Sequence, residues 1–164
     1  MMNSLHNSEI QIPAFRYLQG KGIVPTALAD PISPLVPESL RVSVVFTDFT
    51  ETQRALDRAV ELAIDLRAET RIIVPHVVPY PLALECPVVP LEFLCSQLQS
   101  LAAAAGADPY IHVYLCRDKV ELLLKLLPER SIVVIGARKR WLWPVEAERL
   151  ARRLDKKGFA VVLV

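Results

Sequence analysis

Five short, almost continuously apolar segments follow one another through most of the chain. They are rich in Val and Ile and span 42–46, 72–78, 111–115, 132–135 and 159–164. Strands of a parallel sheet have this pattern because helices cover both faces of the sheet, which leaves no regular alternation of polar and apolar residues. The pattern therefore predicts five strands, all parallel.

Longer segments with apolar residues at helical spacing separate these runs. The first helix is predicted over 51–68, where residues 50–53 (Thr-Glu-Thr-Gln) fit a capping box with Thr50 as the cap. Pro90 and Pro144 are expected to open the second and fourth helices, and Asp118 precedes the third. The resulting order βαβαβαβαβ predicts an open doubly wound α/β sheet, whose ligands bind beyond the carboxyl ends of the strands.

Residues 1–40 differ in composition from the rest of the chain. They hold five prolines and show no sustained helical or strand period. We expect a Pro-rich N-terminal arm with at most a short local element, and one α/β domain over 41–164. The total of 164 residues fits this division, since single domains commonly have about 100 to 200 residues.

Charge and cysteine content exclude several classes of protein. Nineteen Lys and Arg against 18 Asp and Glu give a net charge of +1, so no overall field attracts nucleic acid or anionic membranes. No apolar run approaches the roughly 20 residues of a membrane span, and no secretory leader pattern is present. Cys86, Cys95 and Cys116 lack metal or disulfide spacing. We expect a soluble cytoplasmic protein with buried thiols.

The sequence offers little material for catalysis. It has five glycines, no P-loop motif, no Gly-x-Ser-x-Gly elbow and no histidine spacing typical of a metal site. We therefore predict no catalytic residues and no metal, and no enzymatic activity, while a weak nucleotide hydrolase stays open as an alternative.

Four segments carry a family resemblance. Residues 44–52 (Val-Val-Phe-Thr-Asp-Phe-Thr-Glu-Thr) resemble the opening strand and turn of the universal stress proteins, which often read Thr-Asp-Phe-Ser-Glu there. Residues 72–79 are similar to that family's second strand, 131–136 to its fourth strand ending in glycine, and 160–164 to its closing strand. The resemblance covers 41–164 and implies the adenine-nucleotide α-hydrolase-like fold of the universal stress proteins.

The resemblance also implies a candidate binding site. In nucleotide-binding members, the aspartate after the first strand and the backbone at a second-strand valine hold adenine and ribose, which correspond here to Asp48 and to Val77 or Val78. For Asp48, a role as helix cap is an equal alternative.

The family's phosphate loop is only partly present. It reads Gly-x-x-Gly with a Gly-Ser or Gly-Thr pair further on; Gly136 matches the first glycine and Lys139 stands at the second. Residues 144–149 contain no glycine, serine or threonine. Side chains at these positions block close approach of backbone amides to phosphate. Arg138, Lys139 and Arg140 form either a replacement anion site or a solvated basic patch.

Two hypotheses follow. The first is a regulatory, stress-response binding protein that has weak or no ATP binding, forms a homodimer through its C-terminal strand and contacts a protein partner. The alternative is an adenine-nucleotide-binding module in which Asp48, Val77, Gly136 and residues 138–140 hold ATP or AMP. No cofactor is firmly assigned.

Overall fold

The computed structural model describes residues 14–17, 23–26, 40–83, 90–107, 109–128, 131–138 and 146–164. The bounds of the helices and strands follow in chain order: β1 (Ala14–Tyr17), β2 (Ile23–Thr26), β3 (Arg41–Val45), α1 (Phe49–Leu66), β4 (Glu69–Val77), α2 (Leu91–Ala104), β5 (Tyr110–Cys116), α3 (Lys119–Leu126), β6 (Ile132–Ile135), α4 (Glu146–Asp155) and β7 (Ala160–Leu163). No helix within these described ranges is long and apolar enough to cross a membrane.

The strands form one sheet in the order β2-β1-β5-β4-β3-β6-β7. The five strands from β3 to β7 pair in parallel, which confirms the predicted five-stranded parallel sheet. The parallel part of the sheet begins with β3, the middle one of its five strands, continues outward through β4 and β5, and then returns to β6 on the other side of β3. The strand order therefore reverses between β3 and β6, where a doubly wound sheet places its ligand crevice.

The predicted arm contributes two further strands. β1 pairs antiparallel with β5, and β2 pairs antiparallel with β1 at the edge of the sheet. Pro25 lies in β2, opposite Phe15. An edge strand tolerates proline because only one side of it needs to donate hydrogen bonds to the sheet. Each strand has four residues and includes a polar residue or a proline, so neither shows the continuous apolar run that predicts the parallel strands.

Helices cover both faces of the parallel sheet, as the continuous apolar runs require. α1 and α2 bury one face, with Leu56 and Leu98 among the fully buried side chains. α3 and α4 bury the other face, where Leu123 and Leu154 pack on Val45 and its neighbours. Alternate residues of each strand thus belong to two separate cores.

The beginning of α1 differs from the prediction. The helix starts at Phe49 rather than at residue 51, and its N-cap is Asp48, not Thr50. Asp48 has the extended backbone of a cap and its Oδ1 accepts a hydrogen bond from the Glu51 N–H at 2.9 Å. The strand ends at Val45 and leaves only a short turn, so the cap falls on the earlier side chain. The prediction of Asp118 before α3 is confirmed, whereas the predicted start at Pro144 lies outside the described residues.

Gly136, directly after β6, lies against the first turn of α1. A Cβ atom at this position would stand 1.9 Å from the carbonyl oxygen of Glu51 and 2.9 Å from the Cβ of Glu51. The contact is with backbone, which does not move aside as a flexible side chain does. Absence of a side chain at Gly136 is therefore a packing requirement of the helix.

We expect Gly136→Ala to lower the free energy of unfolding by about 3 kcal/mol, because the methyl group forces α1 away from the sheet. Urea unfolding measures the loss. Gly106→Ala is the matched control: Gly106 also has special backbone geometry, with φ of +62°, but no neighbouring atom within 4 Å of the added Cβ. Its cost is about 1 kcal/mol of left-handed backbone strain. Equal losses for the two variants would contradict the account.

Both described cysteines are buried thiols. Burial raises the pKa of the Cys116 thiol to about 11 and also raises the pKa of Cys95 above its usual value. Because the thiolate is the reactive form, we expect neither to react with DTNB in the native protein at neutral pH. In the Cys86→Ser variant, both thiols should react only after unfolding in urea. Reaction of either thiol before unfolding is the result that contradicts this expectation.

Candidate functional site

The carboxyl edge of the sheet carries the sequence-predicted site residues. Asp48 follows β3, Val77 ends β4, and Gly136 and Arg138 follow β6. β3 lies between β4 and β6, so the three strand ends are neighbours. Lys139 and Arg140, also predicted for this site, lie outside the described residues.

Asp48 has a structural role that does not use all of its carboxylate. One oxygen, Oδ1, caps α1 through the Glu51 N–H. An ionised carboxylate has two oxygens and about four acceptor positions. Asp48 is exposed and none of the described residues donates to its second oxygen, so this oxygen can accept a hydrogen bond from a ligand hydroxyl. The two readings of Asp48, cap and ligand, are therefore compatible.

Thr47 ties the turn after β3 to the turn after β6. Its hydroxyl donates to the carbonyl oxygen of Gly136 at 3.1 Å, and its N–H donates to Oγ1 of Thr52 at 3.2 Å. The first turn of α1 is thereby fixed on both sides, through Thr52 within the helix and through Gly136 on the neighbouring strand. This rigid turn positions the side chains that follow.

Glu51 is a charged residue at the strand-order reversal that sequence reasoning did not assign. Its side chain is only 5% exposed, although it lies in the first turn of a helix. The Oε2 atom accepts a hydrogen bond from Arg54 Nη1 at 2.8 Å, and Oε1 lies 3.7 Å from Nε of Arg138. A buried carboxylate needs such partners, and the positive end of the helix dipole stabilises it further.

Arg138, predicted to bind an anion, is thus already opposite an anion of the protein. Its guanidinium remains largely exposed, and the Glu51 carboxylate, which also accepts a hydrogen bond from Arg54, offsets part of its charge. A phosphate at this point meets one arginine that is already paired and one buried negative charge. Arg138 is therefore a weaker phosphate ligand than an unpaired arginine.

A backbone N–H group of the loop after β6 also forms a hydrogen bond within the protein. The N–H of Ala137 donates to the carbonyl oxygen of Val164 at 2.8 Å, and the Val164 N–H donates to the Ile135 carbonyl oxygen at 3.0 Å. A phosphate cradle needs backbone N–H groups that point at the ligand. The N–H of Ala137 does not point at a ligand site, because its hydrogen bond extends the pairing of β6 with β7.

The two valines at the end of β4 differ in what they offer a ligand. Val78 is buried, its N–H donates to the Cys116 carbonyl oxygen, and its own carbonyl oxygen accepts from Arg117 at 2.6 Å. Val77 is 41% exposed. Of the two positions implied by the resemblance, Val77 is therefore the accessible one.

Val77 lines a cleft of about 500 Å³ between the start of α3 and the exposed side of α4. The other lining residues, most of them charged, are Arg117, Asp118, Lys119, Val120, Glu146, Arg149, Leu150 and Arg153. Asp48, Gly136 and Arg138 do not line it. Of the described candidates, Val77 alone lines this cleft, together with Arg149 and Arg153, which the sequence did not single out as site residues.

The described part of the chain offers no metal centre. Among the residues in the ranges given above, no group of three or more His, Cys, Asp or Glu side chains converges on a point. Binding chemistry at the carboxyl edge therefore depends on hydrogen bonds and on the charges of arginine, lysine and carboxylate groups.

Comparisons with known proteins identify the fold. No family model matches the chain, and no curated protein matches it. The chain is similar to the solved structure of a universal stress protein from Archaeoglobus fulgidus, with a TM-score of 0.52 and 18% identity, over 76% of this chain and 92% of that one. It is also similar to a universal stress protein from Archaeoglobus fulgidus in complex with dAMP, with a TM-score of 0.50 and 16% identity, over 76% of this chain and 96% of that one. The five parallel strands and their flanking helices are those of the universal stress protein fold.

Proposed function

We propose that this protein is a regulatory, stress-response binding protein of the universal stress type that works as a homodimer and has weak or no ATP binding. The observation that carries the proposal is the pairing of Arg138 with the buried carboxylate of Glu51, at the point where a triphosphate needs positive charge.

Two further contacts support weak triphosphate binding. A glycine can leave room for a phosphate to approach the backbone. At Gly136 the backbone carbonyl group of Glu51 occupies that room. The N–H of Ala137 is used by Val164. ATP carries several negative charges and depends on many converging donors, so the loss of backbone donors together with a nearby carboxylate weakens its binding strongly.

The alternative function is an adenine-nucleotide-binding module. The free oxygen of Asp48 and the exposed position of Val77 favour it, as does the fold likeness to a protein solved with dAMP. In this alternative, Arg138 leaves the Glu51 carboxylate and pairs with a phosphate group of the ligand. Lys139 and Arg140 supply additional positive charge. A monophosphate needs fewer donors than a triphosphate, so AMP fits this site better than ATP.

Calorimetric titration with ATP tests the proposal. We expect a Kd above about 100 μM for the natural sequence, equivalent to less than about 5.5 kcal/mol of binding free energy. Glu51→Gln should tighten ATP binding several-fold, because it removes the buried negative charge and releases Arg138. Glu61→Gln is the matched control, since Glu61 pairs with Arg58 on the exposed side of the same helix.

The opposite outcome is equally specific. A micromolar Kd for ATP that is lost in Asp48→Ala, with no gain in Glu51→Gln, would replace the regulatory proposal with the nucleotide-binding alternative. Turnover of ATP in excess Mg²⁺ would instead indicate the weak hydrolase.

The edge strand β7 supports the proposed homodimer. Among the described strands it pairs with β6 alone, so its other side presents unpaired backbone groups. Leu163 on this strand is 45% exposed. An apolar edge of this kind is suited to pairing with the same edge of a second copy around a two-fold axis.

We expect sedimentation to show a dimer at tens of micromolar protein, and Leu163→Arg to convert it to a monomer, because a charge is placed in the proposed interface. Ile64→Arg is the control: Ile64 is a still more exposed apolar residue, on α1 and away from β7. A monomeric natural protein, or equal behaviour of the two variants, would contradict dimerisation through β7.

A further inference from the structure

We propose that the cleft between α3 and α4 binds a small organic phosphate monoester, with Arg149 and Arg153 as its phosphate ligands. The site is distinct from the loop after β6 and goes beyond the proposed regulatory function, since it requires neither the glycine loop nor dimerisation.

The cleft lining carries more positive than negative side chains. Four side chains are basic and two are acidic; they are, respectively, Arg117, Lys119, Arg149 and Arg153, and Asp118 and Glu146. The excess of two positive charges matches a phosphate monoester, which carries between about −1.5 and −2 charges at neutral pH. It balances a triphosphate less well.

Most charged side chains of the cleft other than Arg149 and Arg153 already have hydrogen-bond or ion-pair partners within the protein. Asp118 Oδ1 accepts hydrogen bonds from the N–H groups of Val120 and Glu121, as the cap of α3. Lys119 pairs with Glu146, which links α3 to α4 across the cleft. Each of these groups has its partner within the fold, so the excess charge resides on the arginines.

Arg117 is engaged as well. It donates to the carbonyl oxygens of Val78 and Leu82, each at 2.6 Å, and its guanidinium lies 4.1 Å from the centre of the Tyr80 ring. These contacts fix the wall of the cleft beside Val77. The positive charge of Arg117 therefore lies near the ligand, but few of its N–H groups remain available to donate to a phosphate.

Arg149 and Arg153 are different from their neighbours on α4. They are four residues apart, so they share a helix face, where two like charges repel each other. In the described part of the chain neither has an ion-pair partner, whereas Arg152 pairs with Glu148 at 3.9 Å on the same helix. A dianionic group between the two guanidinium groups removes their repulsion, and arginine matches phosphate through paired N–H donors.

The uncharged part of the cleft lining favours a ligand that has an organic group attached to the phosphate. Val77, Val120 and Leu150 supply the apolar part of the lining. The volume of about 500 Å³ falls within the usual range of about 300 to 1,000 Å³ for small-molecule sites, and inorganic phosphate alone fills only a small part of it. A ring or short apolar chain esterified to phosphate fits both features.

Calorimetric titration with phenyl phosphate tests this site. We expect saturable binding that weakens about tenfold or more in Arg149→Gln and in Arg153→Gln, because each loses a charge-assisted contact. Arg152→Gln, the matched control, should change the Kd by less than about twofold, since its charge pairs with Glu148 and lies outside the cleft lining. All three arginines are exposed, and circular dichroism verifies that each variant is folded.

Two comparison compounds define the ligand class. Phenol, which has the ring without the phosphate, should not bind, and inorganic phosphate should bind more weakly than phenyl phosphate. If inorganic phosphate binds as tightly as phenyl phosphate, the inference that the cleft recognises an organic group on the phosphate is wrong. Absence of saturable phenyl phosphate binding, or binding that is unchanged in both Arg149→Gln and Arg153→Gln, would overturn the site, and neither result bears on the ATP titration of Glu51→Gln.

Discussion

The close contact between the first turn of α1 and the end of β6 determines how the carboxyl edge of this sheet is arranged. Gly136 permits the contact because no other residue leaves room for the carbonyl oxygen of Glu51. With the helix held there, Asp48 becomes its cap, Thr47 reaches the carbonyl oxygen of Gly136, and the Glu51 carboxylate is buried beside Arg138. One backbone contact thus positions three polar groups of the site.

This arrangement divides the carboxyl edge into two regions of different charge. At the strand-order reversal, Arg138 lies 3.7 Å from the buried carboxylate of Glu51, which it shares with Arg54, so part of its positive charge is offset within the protein. In the α3–α4 cleft, neither Arg149 nor Arg153 has an ion-pair partner among the described residues, because Glu146 pairs with Lys119 and Glu148 with Arg152. We therefore expect a small anion to bind in the cleft, as proposed above.

The sequence predicted the architecture because the runs that form the parallel strands are almost continuously apolar, even in β6 and β7, which have only four residues each. The apolar runs at 72–78 and 132–135 indicated buried strands, and their order implied the doubly wound topology. β1 and β2 were missed because each includes a polar residue or a proline within a Pro-rich segment, so neither shows a continuous apolar run. The cap of α1 was assigned to Thr50 because several residues in that turn are good caps, and only the end of β3 selects Asp48.

The candidate site was less predictable for a different reason. Glu51 has the sequence context of an ordinary first-turn acid, and nothing local indicates that it is buried by Gly136, 85 positions later in the chain. The cleft likewise requires β4, α3 and α4 to meet. The spacing of Arg149 and Arg153 was visible in the sequence, but their shared position opposite Val77 depends on the tertiary fold.

The turns after β3 and β6 are occupied by contacts within the protein, and we propose that they therefore hold a triphosphate weakly or not at all. An amide NMR titration with ATP tests this proposal most directly, because each backbone N–H reports separately. We predict that the resonances of residues 47–52 and 136–138 stay unchanged as ATP is added. Saturable shifts of those resonances at micromolar ATP would contradict the account.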